Sequence, residues 1–356
     1  LDRSSAASDV YKRQVMRKPI NILFYFGVTL SLLTGCNQEN SVVPPLSGEE
    51  NVEVCLNASV STIETTITRS GIITGTTLEE RAPVGVFGLT EQGGNFIEPY
   101  LKNLEYLNVG PSGALTIADG STVNYPPGQD KLYLYAYYPY TTDVSTDGNG
   151  NASIPVNGTK GSEAVTDYLY TGMITGSKAL AAAGNKVSLP LKHALAILRF
   201  NIYTNTQEYT VDSHPILNSI SFTTREGQEG TMDLATGVIT SNNSSNRTAV
   251  FLDYQAENLG IIANKAPIVK DYLLFPYEAA ENSAIRKLTL NVSIPEETEN
   301  KEIVVFDEAD KDENQNKVIV RLKAGYITTI NIKYTQSMAA KASVSEWQPG
   351  EEHTFE

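Results

Sequence analysis

The sequence predicts an all-β protein built of β-sandwich domains. Its 356 residues include 19 Tyr but one Trp and four Met, and together with many Thr, Val and Ile this is the composition that half-buried pleated surfaces favour. Short apolar runs bounded by Gly, Pro, Asn or Asp recur along the chain, which is typical of a sandwich. Helical periodicity is confined to Ser177–Ala183, where Gly184 would end a short helix.

The first part of the chain carries targeting signals rather than a fold. Residues 1–15 have no apolar period and precede Met16, so we interpret them as non-native read-through and expect the native chain to start at Met16. An Arg-Lys pair then leads a 14-residue apolar stretch, Ile20–Leu33. That stretch is shorter than the roughly 20 residues that span a bilayer. Residues 16–35 are therefore predicted to be a signal peptide.

Cys36 is the predicted lipidation site. The signal peptide runs into Leu-Thr-Gly-Cys, which looks like a bacterial lipobox, where the Cys thiol receives a diacylglyceryl group before cleavage. Several acyl chains on one Cys would anchor the protein stably, at about 0.8 kcal/mol per buried CH₂. Residues 36–50 include two Pro and would form a tether. The alternative is that Cys36 is an ordinary small residue at a conventional cleavage site.

The clearest strand of the sequence follows the tether, from Asn51 to Val60. Every second residue there is apolar, which is the alternation of a half-buried strand. The apolar face consists of Val52, Val54, Leu56, Ala58 and Val60. Further strands are predicted at Val84–Thr90, Ala114–Ala118, Lys131–Tyr138, Leu195–Tyr203, Leu217–Thr223, Thr248–Leu252, Tyr272–Phe275, Lys287–Ile294, Glu302–Phe306, Lys317–Leu322 and Tyr326–Tyr334.

A short repeated motif predicts two similar domains. The string Tyr135–Tyr140 recurs 137 residues later as Tyr272–Tyr277, and in both a core strand ends at a Pro that cannot donate to a ladder. We therefore predict an N-terminal β-sandwich domain at residues 51–188 and a C-terminal one at residues 189–356. Chance similarity of two aromatic strand ends is the alternative.

Charge and rare residues exclude several classes of function. The net charge is −14, and such a surface repels nucleic acid. A structural zinc site needs about four closely grouped Cys or His ligands, whereas the two Cys and three His here are scattered along the chain. No G-x-S-x-G elbow lies near His193, so we expect a packing or capping residue there rather than a general base. No catalytic residue, cofactor or metal is predicted, although only geometry would identify a carboxylate pair for glycoside hydrolysis.

Two segments rich in side-chain oxygens are interpreted as turns. Asp310–Asn316 alternates like a calcium loop but has Gln315 in place of the required Gly and Arg321 in place of the final Glu. Asp147, Asn149 and Asn151 stand between glycines, where turn chemistry is the simpler explanation.

Three tyrosines could serve a binding function. Tyr133, Tyr135 and Tyr137 project from one face of a strand and could stack on sugar rings. Their apolar neighbours are also typical of a strand covered on both faces, so packing is the favoured interpretation.

Taken together, the motifs resemble the fimbrillin family, the lipoprotein-derived pilus subunits of Gram-negative anaerobes, over nearly all of the mature chain. The residues that carry the resemblance are Cys36 in its lipobox, Ile67–Arg69, Val84–Gly88, Tyr135–Tyr140, Leu191–Phe200, Ala324–Tyr326 and Trp347. The resemblance implies two transthyretin-like β-sandwich domains in tandem after a lipoprotein signal peptide. It also implies maturation by proteolysis after an Arg and polymerisation by strand exchange.

Arg69 is the predicted processing site. A cut there would free the strand Asn51–Val60 and open an apolar groove for a segment of the next subunit. Arg81 is the competing position for the cut. The alternative to processing is that Arg69 is merely exposed in a loop and is not cut. On the donor side, apolar residues alternate from Ala340 to Val344, but Glu346 breaks the apolar face. A C-terminal segment packed on its own domain would instead indicate a tip or anchor subunit.

The sequence therefore predicts a non-enzymatic, lipid-anchored fimbrial subunit or accessory protein that contributes to adhesion. Its partners would be other fimbrial subunits through strand exchange, membrane lipid through Cys36, and a surface ligand. The expected location is the cell surface, anchored in the outer membrane or within the fimbrium. The alternative is a surface glycan-binding lipoprotein of a carbohydrate-uptake system, and a hydrolase ranks third.

Overall fold

The structure is a computed structural model that describes residues 51–61, 72–161, 165–243, 247–295, 297–309 and 318–335, and the backbone of residues 341–346. Within these residues the fold is all-β, as predicted, with a single five-residue α-helix. No helix in the described part of the chain has the length and apolar character needed to cross a bilayer.

The described strands are numbered in chain order. They are β1 (Leu56–Val60), β2 (Pro83–Leu89), β3 (Leu101–Asn108), β4 (Ala114–Ile117), β5 (Lys131–Tyr138), β6 (Ser145–Thr146), β7 (Ala152–Asn157), β8 (Leu169–Tyr170), β9 (Ile174–Ser177), β10 (Val187–His193), β11 (Ala196–Thr204), β12 (Ile216–Thr224), β13 (Glu229–Asp233), β14 (Ile239–Ser241), β15 (Ala249–Asp253), β16 (Leu259–Gly260), β17 (Ile268–Leu274), β18 (Ile285–Ser293), β19 (Lys301–Asp307), β20 (Ile327–Tyr334) and β21 (Lys341–Glu346).

The predicted helix is confirmed as α1 (Lys178–Ala182). The Ser177 hydroxyl accepts a hydrogen bond from the Leu180 amide at 3.4 Å, which is the role of an N-cap. Gly184 follows with φ +84°, a conformation that suits glycine and ends the helix. A 3₁₀ turn, Gln255–Glu257, precedes β16.

Seven strands close into a barrel-like ring around the first core. The order in the ring is β2-β3-β4-β1-β10-β8-β5, and the ring closes because β2 also pairs with β5. Strand β9 continues the sheet beside β5. The tandem transthyretin-like sandwiches implied by the resemblance are not confirmed by this ring.

Two further sheets face each other around a second core. One has the order β17-β11-β20-β21, and the other has the order β15-β12-β18-β19, with β16 also paired to β12. Aromatic rings from both sheets meet in this core, because Phe200 of β11 lies 5.5 Å from Phe222 of β12 between ring centroids. This part of the chain has the layered packing that the sequence predicts for a sandwich.

A fourth sheet joins strands from the two halves of the sequence. Its order is β14-β13-β7-β6, and β7 pairs antiparallel with β13. A third core lies beside it, formed by residues from both halves. The predicted boundary after residue 188 falls inside β10, which pairs along its length in the ring. The division into domains 51–188 and 189–356 stays a prediction.

Most predicted strands are present with ends shifted by a few residues, but two differ. Regular pairing of the first strand begins at Leu56 rather than Asn51, because Val52 and Val54 bond instead to residues of the loop after β4. Residues 318–321 form no strand, and Leu322 makes only an isolated bridge with Tyr277.

Candidate functional site

β1 lies inside the ring rather than at an edge. It runs parallel to β10, with Leu56 opposite Val187 and Val60 opposite Leu191. On its other side it pairs antiparallel with β4. Because both edges of β1 are bonded, its removal would leave unpaired backbone groups on two neighbouring strands. We call the space that residues 52–61 occupy the β1 slot.

The predicted apolar face of this segment is confirmed. All five of its apolar side chains are buried in the first core, namely Val52, Val54, Leu56, Ala58 and Val60. Full burial of one Val or Leu side chain contributes roughly 1.5–3 kcal/mol. An empty β1 slot would therefore be strongly apolar.

Both ends of the segment are held by backbone hydrogen bonds. At the front, the Val54 amide donates to Val123 O at 2.8 Å. At the back, the Val60 amide donates to Thr76 O at 2.8 Å and the Ser61 amide donates to Leu191 O at 2.9 Å. The segment is thus docked on residues that come later in the chain.

Gly113 lets β1 approach the turn before β4. The Ala58 amide donates to Gly113 O at 2.7 Å, and a Cβ on Gly113 would lie only 2.0 Å from Ala58 O. Gly113 also has φ +73°, a conformation that L-residues rarely adopt. Glycine is therefore required here for two separate reasons.

Two tyrosine hydroxyls lie close to the start of β1. Burial raises the pKa of Tyr106 to about 12, with a smaller contribution from Cys55 and Glu53. Burial also raises the pKa of Tyr125 to about 12, again with a contribution from Cys55. Neither hydroxyl has a hydrogen-bond partner among the described residues.

His193, at the end of β10, contacts the other end of the segment. It is 4% exposed, its Nδ1 lies 2.9 Å from Asp167 Oδ2, and its Nε2 lies 2.8 Å from Ser61 O. Asp167 Oδ2 also accepts from the Ile73 amide at 3.1 Å. This agrees with a packing or capping role. The sequence did not indicate Asp167 as the partner.

The structure reaches only some of the predicted site residues. Cys36, Arg69, Asp310–Asn316 and Trp347 lie outside the described residues. Arg81 is exposed in a turn with φ +64°, and its amide donates to Asn108 O at 2.8 Å.

The Asp147 cluster is a turn, as interpreted from the sequence. Asp147 Oδ1 accepts from the amides of Asn149 and Asn151, each at 2.9 Å, and Oδ2 accepts from Asn151 Nδ2 at 2.9 Å. The side-chain bond from Asn151, followed by the backbone bonds, lowers the pKa of Asp147. The carboxylate is thus occupied by its own loop.

The tyrosine strand packs in the interior, as favoured from the sequence. Tyr135 and Tyr137 are 5% and 1% exposed. The Tyr135 ring packs against Phe96 at 4.9 Å, and the Tyr137 hydroxyl donates to Asn103 Oδ1 at 2.6 Å. These two rings are not free to stack on a sugar, so of the three tyrosines only the half-buried Tyr133 could serve the glycan-binding alternative.

The C-terminal strand pairs with its own chain. β21 runs antiparallel to β20 at the edge of the second core's first sheet, with Thr328 opposite Glu346 and Lys333 opposite Lys341. The segment proposed as a donor is therefore engaged in cis.

The pattern of the sequence did not predict β10, the strand beside the β1 slot. In β10, Leu189, Leu191 and His193 are buried and alternate with exposed residues. That alternation was visible, but Pro190 made the segment resemble a connection, because proline cannot donate to a ladder.

Comparison with known proteins finds one matching family and several similar structures. The model of a family described as fimbrillin-like matches residues 68–347. A structure of a protein named for cell adhesion, from Bacteroides uniformis, has a TM-score of 0.53 at 17% identity and covers 83% of this chain and 98% of its own. One from Bacteroides ovatus, similarly named, has a TM-score of 0.52 at 16% identity, over 84% of this chain and 99% of its own.

At these identities, the two structures bear on the fold alone. No curated protein matches the sequence. The family model, in contrast, covers most of the chain, including β1's neighbours in the ring and both sheets of the second core. The chain belongs to the fimbrillin-like family.

Proposed function

We propose that this protein is a lipid-anchored fimbrial subunit or accessory protein that assembles by β-strand exchange at the β1 slot and contributes to adhesion. The observation that carries the proposal is the position of β1. It is an interior strand, bonded on both edges, with its apolar side chains in the first core. A strand from another subunit that replaced it would gain the same hydrogen bonds and the same burial.

Processing at Arg69 is part of the proposal. A cut at any point between Ser61 and Ile73 breaks the covalent link between β1 and the strands that follow it. Only noncovalent contacts then hold β1 in its slot. Arg81 is the weaker candidate. Its turn is fixed by Asn108, whose buried side chain donates to Leu78 O at 2.7 Å and to Glu79 O at 3.0 Å. A protease needs an extended substrate, so this turn would first have to open.

The cis pairing of β21 bears on the position in the fibre. To act as a donor, β21 would have to leave β20 and expose that edge. An acceptor that keeps its own β21 would sit at one end of a fibre. A shaft subunit would therefore have to release β21 from β20 during assembly, whereas a tip or anchor subunit would keep β21 in place.

The anchor is proposed at Cys36, in the outer membrane. Labelling of cells with a palmitate analogue should mark the protein, and Cys36→Ala should abolish the label. An unchanged label in that variant would contradict the anchor and leave the exchange proposal intact.

Assembly is tested with the purified chain carrying Cys36→Ala, before and after nicking by an Arg-specific protease. Size-exclusion chromatography and electron microscopy should show monomers before the cut and oligomers or fibres after it. Arg69→Ala should prevent the cut and the assembly, whereas Arg81→Ala should leave both unchanged. A nicked chain that stays monomeric at high concentration would contradict strand exchange between copies of this chain.

The role of the C-terminal segment is tested by deleting residues 338–356. Self-assembly after nicking should disappear if β21 is the donor, with the fold preserved. A polymer of unchanged length would show that another segment fills the slot.

A further inference from the structure

The pair His193 and Asp167 joins the two ends of the segment in which the cut is proposed. Before that segment, Ser61 O faces His193 Nε2 at 2.8 Å. After it, the Ile73 amide donates to Asp167 Oδ2 at 3.1 Å. The two side chains contact each other at 2.9 Å, and the side chains alone are 2% exposed for His193 and 0% for Asp167.

The atoms around the imidazole define its hydrogen-bonding role. Ser61 O can only accept, so Nε2 must carry a proton. Asp167 Oδ2 already accepts from Ile73, so Nδ1 faces a second acceptor and is also a donor. With Asp167 as the carboxylate, the geometry assigns a proton to both ring nitrogens, and a histidine cation then lies against that carboxylate. A bond from this cation to Ser61 O is charge-assisted and is stronger than the neutral backbone bonds of the ladder.

The partners of this pair lie far apart in sequence. Ser61 follows β1, Asp167 precedes β8, and His193 ends β10. Removing any one of them leaves a buried polar or charged group without its partner, which is strongly unfavourable. The arrangement thus couples the end of β1 to the body of the ring through charge as well as through apolar packing.

We propose that His193 and Asp167 form a latch that holds the end of β1 in its slot after the chain is cut, and that grips the corresponding carbonyl of any strand that takes its place. This rests on the proposed function in that it assigns positioning residues to the same slot. After a cut, Ile73 stays with the body, so Asp167 remains fixed while Ser61 leaves with β1. The incoming strand must present a main-chain carbonyl one residue beyond the position opposite Leu191.

The latch is tested by strand release from the monomer, not by polymerisation. A recognition site for a sequence-specific protease is placed within residues 62–71 of the full chain carrying Cys36→Ala, so that the result does not depend on Arg69. After nicking, size-exclusion chromatography with mass spectrometry follows the loss of the N-terminal fragment. Asp167→Asn and His193→Gln should release the fragment at least about 10-fold faster than the unmodified latch, since a bond to a charged group is lost.

The control is Asp271→Asn. Asp271 is equally buried and forms a two-point ion pair with Arg199, at 2.7 and 2.8 Å, between β11 and β17. It does not contact β1, so its loss should leave the release rate unchanged. Equal acceleration in all three variants would overturn the proposal, because it would reflect general destabilisation.

A spectroscopic measurement covers the case in which the latch variants do not fold. In the intact protein, ¹⁵N NMR of His193 should show protons on both ring nitrogens, and release of the nicked fragment should expose the Nε2 proton to exchange. A single ring proton, or a spectrum unaffected by release, would overturn the latch. Failure of the nicked protein to polymerise would count against strand exchange and would leave these readouts unaffected.

Discussion

Tyrosine hydroxyls in the interior differ in whether they have a partner. The Tyr137 hydroxyl donates to Asn103 Oδ1 at 2.6 Å, whereas the Tyr106 hydroxyl has no partner in the described part of the chain. Tyr137→Phe should lower the free energy of unfolding by about 0.5–1.5 kcal/mol, because it removes a hydrogen bond to the partly buried Asn103 Oδ1. Tyr106→Phe should be neutral or stabilising, because the hydroxyl it removes is unpaired already. Urea unfolding measures the free energy of unfolding of each variant. An equal loss of stability in the two variants would contradict the difference in hydrogen bonding.

The same buried tyrosines predict instability at high pH. Burial raises the pKa values of Tyr106, Tyr125, Tyr137 and Tyr334 to about 12, against about 10 in an unfolded chain. The folded state therefore prefers the neutral form. The stability from these groups is complete below pH 10 and is lost as the pH rises through 12.

Thermal unfolding between pH 9 and 12 should show this as a falling midpoint. Absorbance at 295 nm should show a set of tyrosines that ionise only together with unfolding. If every tyrosine ionised near pH 10 in the folded protein, the burial of these hydroxyls would be disproved.

At the scale of single residues, the sequence predicted which side chains are buried better than it predicted which groups they contact. The alternation of Val52, Val54 and Leu56 was enough to assign their face, because it is a local property. The contact of His193 with Asp167 and Ser61 could not be predicted, since those partners lie 26 and 132 residues away. Only the pairing of β10 with β8 and β1 brings them together.

Among the elements, β1 depends on one glycine in its neighbour. Gly113 and Gly120 share a positive φ, of +73° and +77°, and flank β4. Replacing either by Ala should cost roughly 1–2 kcal/mol for the backbone conformation. Gly113→Ala should cost more, because its Cβ would press on Ala58 O, whereas nothing lies within 4 Å of a Cβ on Gly120.

Cys55 precedes β1 and is partly buried. The rate at which its thiol reacts therefore measures whether β1 stays bound in the β1 slot. In the Cys36→Ala background, the reaction of Cys55 with a thiol reagent should accelerate in Gly113→Ala and stay unchanged in Gly120→Ala. Equal stability and equal reactivity in the two variants would show that β1 does not depend on this close approach.

Strands with strong local patterns were predicted from the sequence, and those whose partners decide their structure were not. β5, β11, β12 and β20 agree with the sequence to within one residue at either end. β3 was missed because it carries charged and polar residues within an otherwise apolar run, and only three of its eight positions are buried. β10 was not predicted because Pro190 lacks the amide that a ladder uses, although the pairing with β1 runs through it.

For the molecule as a whole, closure of the ring was beyond prediction. It depends on the pairing of β2 with β5, which are joined across β3 and β4. Patterns within each strand indicate a face but do not choose between two facing sheets and a closed one. The sheet that joins β7 to β13 was hidden for the same reason, since its strands lie in different halves of the sequence.

This joining sheet couples the two halves physically. Buried side chains from both halves meet in the third core, where Phe87 and Ile154 lie in the same cluster as Met232 and Phe275. At the junction, Gln228 Oε1 accepts from the Phe275 amide at 2.8 Å, and Gln228 O accepts from the Gly158 amide at 2.9 Å. The described residues fall into one compact unit.

We therefore expect the ring and the second core to unfold together. Leu290 is fully buried in the second core and belongs to neither of the other two. Leu290→Ala should lower stability by about 2–5 kcal/mol. Hydrogen exchange followed by mass spectrometry should show the same loss of protection in β18, which contains the mutation, and in β5 of the ring. Loss confined to the two sheets of the second core would mean that the predicted domains 51–188 and 189–356 unfold independently. The third core would then be an interface between these domains rather than part of one cooperative unit.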